Sequence, residues 1–130
     1  MPDQSGKSGS HTTGKVKVRW LGHAAFEIES PGGTRLLIDP FIKENPVTPE
    51  PLRKLDRYKS TDKPAAICVT HSHGDHSADA KEIAKLSEAP VIGMVEFVSS
   101  LKLSPEQSKG GNVGGEIRVE RVLEIRTQAR

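Results

Sequence analysis

A single cysteine, Cys68, stands among 130 residues, so no intrachain disulfide framework can form. That fits a reducing compartment, and a cytoplasmic location is expected. Aromatic residues are scarce at 4%, which leaves Val, Ile, Leu and Ala to build any core. No apolar run approaches the ~20 residues of a membrane span, and no hydrophobic stretch follows a basic N-terminus as in a signal peptide. No membrane partner is therefore expected. Neither sign of charge predominates: 19 Lys and Arg against 17 Asp and Glu give +2. This balance, with no basic–aromatic platform, argues against nucleic acid as a partner. From Pro2 to Lys15 large apolar residues are missing altogether, so residues 1–14 are predicted to be a disordered tail. Residues 15–130 are then expected to form one domain. Gly6-Lys7-Ser8 in the tail is not a phosphate loop, because Met1 stands where the first glycine is needed and no strand leads into it.

What is present begins at Lys15. Val16, Val18 and Trp20 alternate with Lys15, Lys17 and Arg19, the period of a half-buried strand. After Gly22, Ala24, Phe26 and Ile28 alternate with Ala25, Glu27 and Glu29. Pro31-Gly32-Gly33 marks a turn, and Thr34 to Ile38 makes a third strand ending at Asp39-Pro40. An antiparallel meander is predicted, with Trp20 and Phe26 packing in the core. Residues 43–64 carry four prolines and read mostly as loop, with one helical turn near Leu52 to Tyr58.

Ala65 to Val69 is a continuous apolar run, the mark of a strand covered on both faces. Cys68 lies inside it and is expected to pack rather than react, since a catalytic thiol needs an exposed, electropositive setting. Ser77 is predicted to cap a helix whose face is Ala80, Ile83, Ala84 and Leu86. Pro90 to Met94 reads as a further buried strand, followed by a short helix with Val95, Val98 and Leu101 on one side. Gly110-Gly111 and Gly114-Gly115 are predicted to bracket a flexible turn. A last strand is expected from Glu116, with a register break near Arg121. This order is α/β or α+β.

Three of the five histidines fall within six residues: His71, His73 and His76, with Asp75 among them. They follow a buried strand and precede a helix, where side chains at a strand's carboxyl end converge on a crevice. Imidazole nitrogen and carboxylate oxygen suit Zn²⁺ and related first-row metals. The spacing suggests two ions, His71 and His73 gripping one while Asp75 and His76 reach a second. Two such ions can activate water and polarise a carbonyl or phosphoryl oxygen, the equipment of a hydrolase.

Thr70-His-Ser-His-Gly-Asp-His76 resembles the H-x-H-x-D-H signature of the metallo-β-lactamase fold hydrolases. Trp20-Leu-Gly-His-Ala-Ala-Phe26 and Leu36-Leu-Ile-Asp-Pro-Phe41 are similar to two earlier blocks of one branch, the predicted metal-dependent hydrolases resembling L-ascorbate-6-phosphate lactonase. The resemblance spans roughly residues 16–128. It implies an αββα sandwich, two sheets face to face with helices outside, of which this chain is the N-terminal half. It also implies that His71 and His73 bind one metal and that Asp75 and His76 bind another. Asp75 would serve as proton donor or base. Asp39 would support the histidine loop from behind, against the plainer reading of an Asp-Pro turn. His23 lies near the pocket or is a satisfied structural histidine, and the sequence leaves both open.

The resemblance also implies ligands that follow His76, and no histidine does so. The expected function is a metal-dependent hydrolase, using metal-activated water on a small, anionic ester, lactone or phosphoester. The alternative is a truncated, non-catalytic metal-binding remnant. The cofactor would be up to two divalent ions, Zn²⁺ or else Mn²⁺ or Fe²⁺, and the partner a small-molecule substrate. Half of a sandwich would leave a sheet face uncovered, which would favour homo-oligomers.

Overall fold

The computed structural model describes residues 14–119 and 123–126. All but the last residue of the predicted tail, and the predicted register break at Arg121, lie outside the described residues. One six-stranded mixed sheet carries the structure. Strands β1 (Lys17–Gly22), β2 (Ala25–Glu29) and β3 (Arg35–Ile38) form the predicted antiparallel meander. Strands β4 (Ala66–Cys68), β5 (Val91–Met94) and β6 (Ser108–Gly111) then add in parallel beside β3.

Parallel pairing needs crossovers. The first runs through residues 39–65 and holds two short 3-10 turns, Glu50–Arg53 and Leu55–Lys59, where one helical turn was predicted. The second carries α1 (Gly74–Ser77) and α2 (Ala80–Ser87), and the third α3 (Val95–Ser100). A separate hairpin pairs β7 (Glu116–Val119) with β8 (Leu123–Arg126), so the single last strand of the prediction is two strands.

The main core lies between the sheet and these crossovers, with Leu21, Leu37, Ile67, Ile83, Val91 and Val98 fully or almost fully buried. Each such side chain stabilises the fold by ~1.5–3 kcal/mol. A smaller cluster on the opposite face joins Ala66 and Ile92 to Val119 and Ile117 of the hairpin strand β7. That cover stops short of β1. Val16, Val18 and Trp20 are 57%, 61% and 57% exposed, and Phe26 is only half-buried. Core packing of Trp20 is thus corrected: the alternation is real, but among the described residues nothing lies over the apolar side of this edge strand.

The covered side of β2 is the one that carries Glu27. Its carboxylate is 5% exposed and accepts from the Tyr58 hydroxyl at 2.5 Å, with Arg57 Nη1 at 2.6 Å. Arg57 also reaches Asp62 at 2.9 Å, so the buried charge is paired and hydrogen-bonded as burial requires. Burial, then the charge of Glu27 and the hydrogen bond to it, push the Tyr58 phenol far above its ordinary range.

One further expectation changes. Ser77 does not cap the long helix; it ends α1, its hydroxyl 2.9 and 3.0 Å from the carbonyls of Ser72 and His73. Asp79 precedes α2 instead, and its buried carboxylate accepts from the backbone N–H groups of Ile42 and Lys43 at 2.7 and 2.8 Å. Gly110-Gly111 ends β6, a strand the sequence did not mark, and with Gly114-Gly115 it brackets the expected turn, which Gly115 N–H closes by donating to the Asn112 carbonyl at 3.1 Å. A Cβ on Gly110 would sit 2.8 Å from Cα of Val95, so the glycine permits the close approach of α3.

Candidate metal centre

The three sequence blocks meet at one end of the sheet. Strand β3 delivers Asp39, β4 delivers Thr70 and the loop beyond it, α1 delivers Asp75 and His76, and the β1–β2 turn delivers His23. Ring centroids of His71 lie 4.7 Å from His73 and 4.1 Å from His76, while His76 and His23 are 5.0 Å apart. His71 and His76 are half-buried; His23, His73 and Asp75 are exposed.

Asp39 lies behind the cluster at 2% exposure, with φ of 45°. Positive φ is uncommon outside glycine, and such backbone is held only where its surroundings impose it. Here Asp39 N–H donates to the Cys68 carbonyl at 2.8 Å, tying β3 to β4. Its Oδ1 accepts from Thr70 N–H at 2.7 Å. Its Oδ2 accepts from the Thr70 hydroxyl at 2.7 Å and from His76 Nδ1 at 2.8 Å. This is far more than an Asp-Pro turn requires.

The hydrogen bonds fix the tautomers by elimination. A carboxylate only accepts, so His76 carries its proton on Nδ1 and leaves the lone pair on Nε2. The Thr70 hydroxyl spends its one proton on Asp39, so His71 Nδ1, 2.9 Å away, must be the donor to Thr70 Oγ1. His71 Nε2 is then free as well. One buried carboxylate orients His76 directly and His71 through Thr70, an arrangement that makes imidazoles good metal ligands. Cys68, beside the same strand ends, is held protonated: burial and then the charge of Asp39 push its thiol up to about 11.

His23 occupies a built turn. Gly22 has φ of 112°, and a Cβ there would lie 2.9 Å from both Asn45 Nδ2 and Val47 Cβ. His23 follows with φ of 55°, and the indole N–H of Trp20 donates to its carbonyl at 2.8 Å. The buried Thr48 hydroxyl donates to the carbonyl of Leu21 just before the turn. Asn45, Thr48, Thr70 and Asp79 were missed as supporting residues. Asn45, Thr48 and the loop that Asp79 ties down lie in or beside the proline-rich stretch, where no periodicity marks a polar side chain as buried.

The donor set of imidazole nitrogens and one carboxylate suits a divalent first-row cation, with Nε2 of His71 and His76 already presented. A cleft of about 420 Å³ opens beside His71, lined by Ser72, Met94, Glu96, Phe97 and Ser100. A larger cleft of about 560 Å³ lies at the opposite ends of β3–β5, by Arg35, Lys63 and Pro90, away from the histidines.

Residues 17–124 match the model of the β-lactamase superfamily domain. The chain belongs to the β-lactamase superfamily. Within this superfamily it is 40% identical over 111 residues to a UPF0173 metal-dependent hydrolase of Myxococcus xanthus, covering 85% of this chain and 37% of the relative. It is 40% identical over 113 residues to one of Pyrobaculum islandicum, covering 85% and 48%. One of Archaeoglobus fulgidus is 43% identical over 103 residues, covering 79% and 41%. The chain therefore spans less than half the length of these curated relatives. A solved structure, Igni18, described as a metallo hydrolase from Ignicoccus hospitalis, matches with TM-score 0.67 and 32% identity, covering 81% of this chain and 43% of that one. The expected fold class is thereby met, and the relatives' metal dependence agrees with the donor set at the β-strand ends. No described helix is long and apolar enough to cross a membrane.

Proposed function

We propose that the chain forms the metal-holding part of a hydrolase acting on a small, anionic ester, lactone or phosphoester. The observation that supports this most is the clustering of His71, His73 and His76, with Asp75 beside His76, over one buried carboxylate, Asp39, that binds His76 directly and His71 through Thr70. In this reading His71 and His73 hold one divalent ion, and Asp75 and His76 a second. Such ions supply positive charge that acidifies water and polarises a carbonyl or phosphoryl oxygen. Asp75, with an exposed side chain, takes the proton from the attacking water and returns it to the leaving oxygen. Asp39 holds His76 directly, and His71 through Thr70, in place. The cleft beside His71 is of a size for a small molecule.

The finer parts of the reading are Zn²⁺ as the ion, Mn²⁺ or Fe²⁺ being the alternatives, and a branch similar to L-ascorbate-6-phosphate lactonase. A cytoplasmic location and self-association through the open sheet face complete it. Elemental analysis of the purified chain tests the centre, with His71→Ala/His73→Ala as control. Up to two ions per chain, reduced in the double variant, is the expected result, followed by turnover in a panel of lactones and phosphomonoesters. Metal-free protein from metal-supplemented growth would overturn it.

A further inference from the structure

We propose that His23 is a protein ligand of the second ion, completing a three-residue site with Asp75 and His76. The inference rests on the metal reading above and extends it to a residue outside the histidine loop. Four observations carry it. Among the described residues, His23, Asp75 and His76 are the set of three whose donor atoms all lie within 4.8 Å of one another. His23 Nε2 is 3.1 Å from Asp75 Oδ2, and His76 Nε2 is 3.7 Å from Asp75 Oδ1, so both rings turn Nε2 toward the same carboxylate. The other edge of His76 is already committed to Asp39.

The third observation is the turn itself. Gly22 and His23 hold successive positive φ angles, fastened by the Trp20 indole and by loop 45–48 packed beneath. With Gly22 paired to Ala25, His23 and Ala24 make a two-residue hairpin turn, which requires positive φ at its first position and so fixes where His23 stands. The fourth is exposure. The side chains of His23 and Asp75 are 48% and 52% exposed, and an ion pair so open to water adds little to stability. The turn thus sets a solvent-facing imidazole against a solvent-facing carboxylate, a pairing that folding stability alone does not account for. It is well explained by ligation, since a catalytic ion ordinarily has three protein ligands and Asp75 with His76 offers two.

Zn²⁺ titration of the full chain by calorimetry, comparing the parent with His23→Gln, provides the test. Glutamine keeps a hydrogen bond to Asp75 but is a poor ligand. One class of site in the variant is expected to weaken by about 100-fold, at the upper end of what loss of a supporting partner costs. The circular dichroism spectrum and melting temperature should stay at the parent's values. In the parent, the ¹⁵N resonance of His23 Nε2 should shift on Zn²⁺ addition while Nδ1 changes far less. Equal affinity and stoichiometry in parent and variant, with no shift at His23, would overturn the assignment of His23 alone. No Zn²⁺ uptake by the parent would overturn it together with the metal reading beneath it.

Discussion

Asp39→Asn is the sharpest perturbation available, because it keeps shape and removes only acceptor capacity. Three donors converge on the carboxylate: Thr70 N–H on Oδ1, and the Thr70 hydroxyl and His76 Nδ1 on Oδ2. An amide has one oxygen, so its NH₂ must meet a donor whichever way it faces. Facing Thr70 N–H, it leaves two buried donors opposed, at a cost of ~1–3 kcal/mol. Facing His76 and the Thr70 hydroxyl, it avoids the clash only by moving protons. His76 must then carry its proton on Nε2, and the hydroxyl must turn to donate to His71 Nδ1. Both imidazoles would lose the free Nε2 lone pair that ligation needs. Metal affinity is expected to fall ~10–100-fold, equivalent to about 1.4–2.7 kcal/mol. Calorimetric titration of Zn²⁺ into parent and variant measures this, and ¹⁵N spectra of the imidazoles report the tautomers. A folded Asp39→Asn chain with the parent's affinity and tautomers would refute the reasoning.

Two other outcomes follow from the same structure. Gly22→Ala should lower stability by ~1–3 kcal/mol, because strain at φ of 112° is joined by contact with Asn45 and Val47; Gly33→Ala, at φ of 94° with open space around it, should cost less, and equal melting temperatures would sink the contact argument. Stability should also fall on the alkaline side. Tyr58 and Cys68 keep their protons in the folded chain above their ordinary values, so the stability they add is complete below the unfolded values of ~10 for Tyr58 and ~8.5 for Cys68 and is lost as pH rises beyond each. Urea melts from pH 8 to 11 should show a decline of up to ~1.4 kcal/mol per pH unit for each group, and Tyr58→Phe should flatten it above about pH 10. A flat profile in the parent would contradict the burial of both groups.

Much of this was legible in the amino-acid order because local chemistry wrote it. The meander followed from period-two alternation and Pro31-Gly32-Gly33, and the buried β4 from five consecutive apolar residues. The histidine loop stood out by three histidines within six residues after a buried strand, and by its resemblance to the H-x-H-x-D-H signature. What misled was the question of which side of a strand is covered. Alternation states that two faces differ; it cannot state what lies over each. In β2 the buried side proved to be that of Glu27, since Arg57 and Tyr58 arrive from a loop about 30 residues away. In β1 the apolar side lies open. Strand β6 was hidden for a related reason: Ser108-Lys109-Gly110-Gly111 lacks strand-forming side chains, and the close approach of α3 explains Gly110. Asp39 was legible only through the family resemblance of the block Leu36 to Phe41, since by itself Asp39-Pro40 reads as a turn. Asp79, which stitches residues 42 and 43 to the start of α2, left no mark in the sequence beyond being polar.

Trp20 is the chain's single tryptophan, and its indole N–H is fastened to the carbonyl of His23. One fluorophore therefore sits on the backbone of the turn that carries the proposed ligand, with more than half of its surface in water. Light absorbed by tryptophan in this molecule reports from one place only. Emission characteristic of a wet indole is expected from the free chain. Anything seated over strand β1 would shift that emission to the blue, whereas an ion drawing His23 toward Asp75 would act through the hydrogen bond and change intensity more than colour. The molecule carries, without labelling, an optical gauge able to tell those two events apart.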